Sequence, residues 1–527
     1  MPKPCPFCKK QIHESLANHV RTEHGEDVLR KAVLEDKKNG VPDVRIGNKY
    51  GVSFSYLEKT ITEEFGTNIS VTNRKRSKIN LWEPKNFRAE TTTVWSFKNR
   101  GNWATHDGSY RGNWSPYIPR NLILRYTKPG ELVLDYFVGG GTTAIEARLL
   151  GRRCIARDIN SDALALTKEN LGFQLPQDIF LNQNTSIYQP ELSQGDAREL
   201  LSIADESVDL ISAHPPYAGI ISYSANLVEG DLSSLSVEGF ITEIRKVAQE
   251  SYRVLKPGRK CAILIGDSRK SKHIIPIAFR TVRAFLDAGF VLRELVAKRQ
   301  HNCKTTGFWY SNSIKYNFLL LAHEFLPIFE KPETTGAVSE VRQLSWLTNS
   351  QIQPLMQEIE RVEKEKLETT SVWIFPDDEV EEEIRRNLIG RFSQAGETIY
   401  EYKWEDALNI DEPCSSKHRL VYIHCPSSFA SPADHEIQNY LHRLEQAVSD
   451  AEKRLILDGY CIIEIRDYRR DNYIVPMGLL AFERLAKSKL EIREIVIVTS
   501  EENKPFEPPA ENDLGISHRY LLIYRKP

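Results

Sequence analysis

The chain has 527 residues, more than one compact core usually holds, so length alone predicts two to four domains. With 41% hydrophobic and 27% charged residues it has the composition of a folded globular protein, and 28 glycines with 26 prolines are too few for a disordered or fibrous chain. Eight cysteines over this length do not make a disulfide framework, and no apolar run approaches the roughly 20 residues that span a bilayer. Met1 is followed by Pro-Lys-Pro-Cys rather than an apolar signal segment, so a cytosolic protein is expected. The net charge of −2 hides an asymmetry: residues 1–80 carry five more Lys and Arg than Asp and Glu, whereas residues 331–412 carry ten fewer. The first segment suits a phosphate backbone; the second would be repelled by one.

Cys5-Pro-Phe-Cys8 is followed after ten residues by His19 and after four more by His24. Two thiolates and two imidazoles at these spacings can close a tetrahedral zinc site, with both histidines on one short helix and Leu16 and Ile12 as an apolar plug. A segment this short buries too little surface to fold without the ion. Its middle loop is two residues shorter than in the common C2H2 finger, and His13 is a rival ligand. The alternative is a frayed terminus with unconnected cysteines. Next, Glu26–Lys38 reads as a charged helix and Asn39-Gly40-Val41-Pro42 as a breaker. Gly47 stands four residues before Gly51, with Val52 and Leu57 behind it, which is the spacing of a helix-turn-helix. Ser53, Ser55 and Tyr56 would open the recognition helix, and Arg74-Lys75-Arg76-Ser77-Lys78 forms a basic linker suited to a phosphate backbone. A three-helix linker domain without groove contacts is the competing reading.

From residue 93 the sequence changes character. Residues 131–135 are an apolar run ending in Asp135, followed by Tyr136-Phe137-Val138-Gly139-Gly140-Gly141-Thr142-Thr143 and a helical stretch over 144–150. Strand, glycine loop and helix form the first unit of a doubly wound sheet, with a ligand expected at the carboxyl ends of the strands. The Gly-Lys-Ser/Thr ending of a phosphate-cradling loop is missing. A second strand over 153–157 ends in Asp158, placed for ribose hydroxyls, and Gln194-Gly195-Asp196-Ala197 sets another carboxylate at a strand end. The buried strand Val208–Ala213 then runs straight into His214-Pro215-Pro216-Tyr217. Two prolines make a rigid turn whose carbonyls are not consumed by a ladder, with an aromatic directly after them: a pocket for a planar amine.

These linked motifs resemble the DNA amino-methyltransferases that use S-adenosylmethionine and modify N6 of adenine or N4 of cytosine. The resemblance covers residues 91–325. Residues 135–143 are similar to the family's Asp-Pro-Phe-x-Gly-Ser-Gly-Thr-Thr, and residues 214–217 to its [Asp/Asn/Ser]-Pro-Pro-Tyr. Asn113-Trp114-Ser115-Pro116-Tyr117-Ile118-Pro119-Arg120 opens a helix where the family places its methionine-binding segment. Arg253-Val254-Leu255-Lys256-Pro257-Gly258 and residues 261–266 match its helix, Pro-Gly turn and fifth strand.

The resemblance implies a Rossmann-like class I methyltransferase sheet and an S-adenosylmethionine site. In it Asp135, Phe137, Gly139, Gly141 and Thr142 would shape the methionine end, Asp158 bind the ribose and Asp196 the adenine amine, while Ser115 helps hold the methionine carboxylate. It implies double-stranded DNA as partner and a catalytic set of His214, Pro215, Pro216 and Tyr217. The flipped base would stack on Tyr217 and donate its amine hydrogens to the Pro215 carbonyl and to His214. Catalysis is then mostly positioning, with no covalent nucleophile. Three departures stand out: His214 replaces Asp, Asn or Ser, Tyr136 replaces Pro, and Gly140 replaces Ser. Only a neutral imidazole can accept the amine hydrogen.

Residues 300–310 gather polar, basic and aromatic side chains in one loop between two late strands, suited to the flipped strand. A shift of 200 residues superposes Cys261-Ala262-Ile263-Leu264-Ile265-Gly266-Asp267-Ser268-Arg269 on Cys461-Ile462-Ile463-Glu464-Ile465-Arg466-Asp467-Tyr468-Arg469, and Arg293-Glu294 on Arg493-Glu494. Residues 420–427 echo 210–217 with one proline and the aromatic lost. A C-terminal degenerate methyltransferase-like α/β repeat is therefore expected, packed on the first copy so that a monomer holds an intrachain pseudo-dimer; substrate recognition is its competing role. Between the copies, residues 349–368 read as a long charged helix. The predicted organisation is a zinc finger over 1–25, a helix-turn-helix and basic linker over 26–78, a catalytic domain over 79–326, an acidic helical linker over 327–369 and the degenerate repeat over 370–527. The expected function is site-specific DNA methylation in a cytoplasmic, nucleoid-associated protein. The alternatives are an RNA or protein-glutamine methyltransferase, or a catalytically inactive DNA-binding regulator.

Overall fold

In the computed structural model of the chain the described residues are 3–12, 16–39, 41, 43–52, 56–57, 60, 79–107, 110, 112–175, 187–216, 230–270, 272–301, 312–333, 350–358, 367–394, 397–406, 417–424, 434–470 and 472–527. At the amino end, β1 (Lys3–Pro4) and β2 (Gln11–Ile12) pair antiparallel, followed by α1 (Leu16–His24), α2 (Glu26–Lys38) and α3 (Asp43–Tyr50). Glu26 and Asp27 stand in the first turn of α2, where carboxylates complement the helix dipole. Cys5, Leu16 and Val20 share one buried cluster with Leu29, Val33, Ile46, Tyr50, Val52 and Leu57. The two expected amino-terminal units therefore have a common core, tied by the stacking of Phe7 on Tyr50 at 5.9 Å. Gly51 takes φ +69° at the expected turn, a conformation that suits glycine. Of the segment behind it, residues 56, 57 and 60 are helical; Ser53, Ser55 and the basic linker lie outside the described residues.

The central part alternates strands and helices: β3 (Val94–Ser96), α4 (Tyr117–Tyr126), β4 (Leu132–Asp135), α5 (Thr142–Leu149), β5 (Arg153–Asp158), α6 (Ser161–Asn170), β6 (Glu191–Gln194) and β7 (Val208–Ala213). Then come α7 (Val237–Val254), β8 (Leu255–Ile263), the hairpin β9 (Ser268–Lys270) and β10 (His273–Ile275), α8 (Ile277–Asp287), β11 (Val291–Arg299) and β12 (His323–Glu330). The sheet order is β3-β11-β12-β8-β7-β4-β5-β6, with β12 antiparallel to both neighbours and every other pairing parallel. This is the Rossmann-like class I arrangement with β3 added at one edge. All six residues of β7 are buried, as a central parallel strand covered on both faces requires. Chain order reverses beside β4, which opens a crevice at its carboxyl end.

A second sheet follows from β13 (Ser350–Glu358), β14 (Val372–Phe375), α9 (Val380–Phe392), β15 (Thr398–Asp406), β16 (His418–Ile423), α10 (Asp434–Arg454) and β17 (Leu455–Ile465). It is completed by the hairpin β18 (Tyr468–Arg470) and β19 (Tyr473–Val475), α11 (Met477–Arg484), β20 (Glu491–Ser500) and β21 (Arg519–Arg525). Its order, β13-β15-β16-β17-β21-β20-β14, reproduces the first sheet from β4 back to β3, including one antiparallel strand between two late ones. Antiparallel β13 stands where β5 stands in the first sheet. Buried residues of both sheets form one continuous core.

Three expectations are corrected. Residues 350–358 are a strand and not part of a long helix: Pro354 cannot continue a helix, whereas an edge strand tolerates it. The catalytic sheet ends at Glu330, beyond the expected boundary at 326, because β12 runs on between β8 and β11. Pro257-Gly258 lies inside β8 at a register slip against β7, with Gly258 at φ +74°, and not in a turn before the strand. Among the described residues no helix is long and apolar enough to cross a membrane.

Candidate active site

A cleft opens at the carboxyl ends of β4, β5, β6 and β7, lined by Tyr110 and by residues 112–114, 136–139, 158–160, 195–197, 214–216 and 230–232. Its floor is the glycine loop. Gly141, at φ +88°, is the left-handed residue that starts α5, and a side chain there would press on Thr167. The Gly139 N–H donates to Asp158 Oδ2 at 2.9 Å, and the Asn160 N–H to Asp158 Oδ1 at 2.9 Å. Burial pushes the Asp158 carboxyl up to about 6, with those two donors working the other way. Asp135 lies under the loop, buried and accepting the Phe137 N–H at 3.0 Å, and burial pushes it up to about 7. It shapes the floor without lining the cleft.

Two departures from the family pattern have local explanations. The Asn113 carboxamide fills the space a side chain at 140 would need and accepts the Gly140 N–H at 3.1 Å. Tyr136 is buried, and its hydroxyl bonds the Ser251 hydroxyl at 2.8 Å, which fastens the loop to α7.

On the far wall, Arg198 grips Asp196 through Nε at 2.9 and 3.0 Å and also pairs with Glu243 at 2.6 Å. Burial works to raise the Asp196 carboxyl, but these donors hold it below its ordinary value. The His214 ring stacks on Trp114 with centroids 5.7 Å apart. Burial pushes His214 down to about 4. Glu324, 4.0 Å from Nε2, opposes that shift and is itself paired with Lys298 at 2.7 Å. The imidazole is thus neutral at neutral pH, the form that can accept an amine hydrogen.

Of the expected site residues, Phe137, Gly139, Asp158, Asp196, His214, Pro215 and Pro216 line the cleft together. Gly141, Thr142 and Asp135 support the loop from behind. Ser115 stands apart, its hydroxyl donating to the Arg100 carbonyl at 2.7 Å. Tyr217 and residues 302–310 lie outside the described residues. Sequence reasoning missed Tyr110, Asn160 and Asp231, which also line the cleft. Asp231 carries no motif; only its charge beside Asp158 marks it.

In the amino-terminal unit Cys5 Sγ lies 3.5 Å from His24 Nε2 and Cys8 Sγ 3.4 Å from His19 Nε2. All four ligand atoms fall within 4.8 Å of one another. A tetrahedral zinc with ordinary bond lengths needs S···N edges of about 3.6 Å, so these residues fit the ion. His13 lies outside the described residues.

In the second sheet, strand register makes Glu401 the counterpart of Asp135 and His424 that of His214. There the two turn toward each other, His424 Nε2 standing 3.6 Å from Glu401 and Nδ1 3.6 Å from Glu464. Arg385 pairs with Glu401 at 2.8 Å and Arg519 with Glu464 at 2.6 Å, so ion pairs occupy the strand ends where the first sheet has its cleft.

A family model described as DNA methylase matches residues 26–169 and 208–400. Among curated proteins, the tRNA (guanine(10)-N2)-dimethyltransferase of Methanothermobacter thermautotrophicus is 37% identical over 109 residues, 20% of this chain and 29% of the relative. The Type II methyltransferase M.SmaI of Serratia marcescens is 30% identical over 89 residues, 17% of this chain and 29% of the relative. M.MjaI of Methanocaldococcus jannaschii is 28% identical over 240 residues, 39% of this chain and 77% of the relative. The chain thus spans less than a third of the length of the first two. Similar solved structures include TrmN from Thermus thermophilus, at 24% identity over 42% of this chain and 50% of that one, with a TM-score of 0.28. An S-adenosylmethionine-dependent methyltransferase from Methanosarcina mazei matches at 19% identity over 40% of this chain and 97% of that one, also at 0.28.

Proposed function

Because this chain belongs to the DNA methylase family, whose model covers more than half of it, we propose that it transfers a methyl group from S-adenosylmethionine to the exocyclic amine of a base flipped out of double-stranded DNA. The observation that carries this reading is the meeting of Asp158, Asp196 and His214-Pro215-Pro216 in one cleft at the reversal of strand order. When bound there, the cofactor supplies an electrophilic methyl on a sulfonium centre. Asp158 is placed to accept the ribose hydroxyls and Asp196, held by Arg198, the adenine amine. Neutral His214 and the Pro215 carbonyl accept the two hydrogens of the target amine and aim its lone pair at the methyl group. Both N4 of cytosine and N6 of adenine fit that description. The amino-terminal unit, with its surplus of positive charge and its Cys5, Cys8, His19 and His24 set for a structural zinc, is proposed to help find the substrate.

Labelled methyl transfer to duplex DNA, followed by nucleoside digestion and mass analysis, tests the reading. We expect N4-methylcytosine or N6-methyladenine that vanishes in Tyr217→Ala. A second reading, transfer to an RNA base amine, has one observation in its favour: the 37% identity to a tRNA methyltransferase over 109 residues. Label on tRNA with none on DNA would select it. Cofactor binding without transfer to either would point to an inactive DNA-binding regulator.

A further inference from the structure

Across the seam between the two sheets, residues related by the 200-residue repeat meet in mirrored pairs. Arg269 of β9 pairs with Glu494 of β20, and Arg469 of β18 pairs with Glu294 of β11. Each arginine also donates to a carbonyl of the strand-free segment beside its partner glutamate, Arg269 to Leu319 at 2.9 Å and Arg469 to Leu514 at 3.0 Å. Each glutamate accepts the N–H of that same residue, Glu494 from Leu319 and Glu294 from Leu514, both at 3.1 Å. Arg283 of α8 meets Glu483 of α11, its own counterpart, at 2.7 Å. The edge strands follow the same rule: His323 Nδ1 bonds Ser371 just before β14, and His518 Nδ1 bonds Thr93 just before β3, both at 2.8 Å. Residue i meeting j while the counterpart of j meets that of i, with one pair on the axis, is the pattern of a two-fold interface between identical subunits.

We infer that the C-terminal half holds, within one chain, the place of a second subunit, and that it braces the wall of the cleft from there. The bracing can be followed bond by bond. Asn503 donates to Thr92 Oγ1 at 2.6 Å and to the Val94 carbonyl at 3.0 Å, fixing β3 from the other half. The chain leaving β3 carries Arg100, which donates to the Asn113 carbonyl at 2.6 Å. Asn113 holds the glycine loop through Gly140, and its neighbour Trp114 stacks on His214. Asn503 and His518 are therefore positioning residues that touch neither cofactor nor base.

Sedimentation equilibrium and cofactor titration of the full chain test the first part: we expect a 60.5 kDa monomer with one cofactor site. A two-fold dimer in solution would overturn it. Arg469→Ala and Glu294→Ala should each lower the urea midpoint, and the double variant should lose clearly less than the sum of the two losses; strictly additive losses would deny the pairing. For the bracing, Asn503→Ala should weaken cofactor binding about tenfold at temperatures well below its melting point, since two hydrogen bonds onto β3 are lost. An unchanged cofactor Kd beside a lowered melting temperature would reduce Asn503 to a structural role and overturn the bracing. The site count rests on the function proposed above. If the wild-type chain bound no cofactor, that reading would fall, while sedimentation and the double-variant cycle would still decide the pairing.

Discussion

His214 stands where its family carries Asp, Asn or Ser, and burial, not a hydrogen bond, makes it usable. With its pKa pushed down to about 4, against the ordinary 6.5 of the unfolded chain, the unfolded state takes up the proton first as pH falls. Stability from this group is complete above pH 6.5 and is lost on the way down to pH 4, by about 3 kcal/mol. Urea midpoints at the two ends of that window should therefore differ more for the wild type than for His214→Asn. His323, pushed down to about 4, and His518, to about 3, add acid sensitivity of the same sign in both proteins, so the difference between them isolates His214. Asp158 acts oppositely, being pushed up to about 6 by burial. A cationic cofactor favours its ionised form, so cofactor affinity should fall as pH drops through 6, and Asp158→Asn should both weaken binding and flatten that dependence in a calorimetric titration.

At the scale of elements, the glycine loop and the segment ahead of α4 are fitted to each other. Gly140→Ser restores the family's residue but drives its side chain into Asn113, at a cost of about 1–3 kcal/mol by analogy with overpacked cores. Asn113→Gly combined with Gly140→Ser should recover much of the loss; denaturation midpoints of the three variants check this. The amino-terminal unit offers a second test. Cys5 and Cys8 of the proposed metal site share one small core with the helices α1, α2 and α3, so chelation of a metal held there should melt those helices together. Helical circular dichroism and protection from amide exchange in residues 16–50 should be lost while cofactor affinity stays unchanged. Glu26–Lys38 was readable from the sequence by its local periodicity, and Val208–Ala213 by a short, largely apolar run that ends at two prolines, because both signals lie between neighbours along the chain. Residues 350–358 misled because the charged run that follows them, 358–368, suggested one solvated helix through both, while their state is set by β15, a partner nearly fifty residues away in the chain.

For the whole molecule, the seam separates contacts that matter for stability from those that decorate it. Glu494 is 1% exposed, so removing Arg269 leaves a buried carboxylate without its ion-pair partner. Arg269→Ala should cost about 3–5 kcal/mol in chemical denaturation. Arg283 and Glu483 keep a third of their side-chain surface in water, and Arg283→Ala should cost under about 1 kcal/mol.

The sequence by itself determined the class of the sheet, the glycine loop, the Pro-Pro turn, the metal-ligand spacing and the existence of a repeat, because each of these is a pattern of residue types at short or fixed separations. Tertiary structure decided the rest. That Asn113 takes the space at Gly140, that Asp231 joins the cleft, that Ser115 bonds Arg100, and that Glu401 and His424 close on each other in the second sheet all depend on which strands and loops pack side by side. The mirrored arginine and glutamate pairs are the clearest case: their residues were aligned by the repeat, but only the meeting of two sheets in space made them partners. Pairing across a seam depends on three-dimensional register, and no local periodicity encodes it.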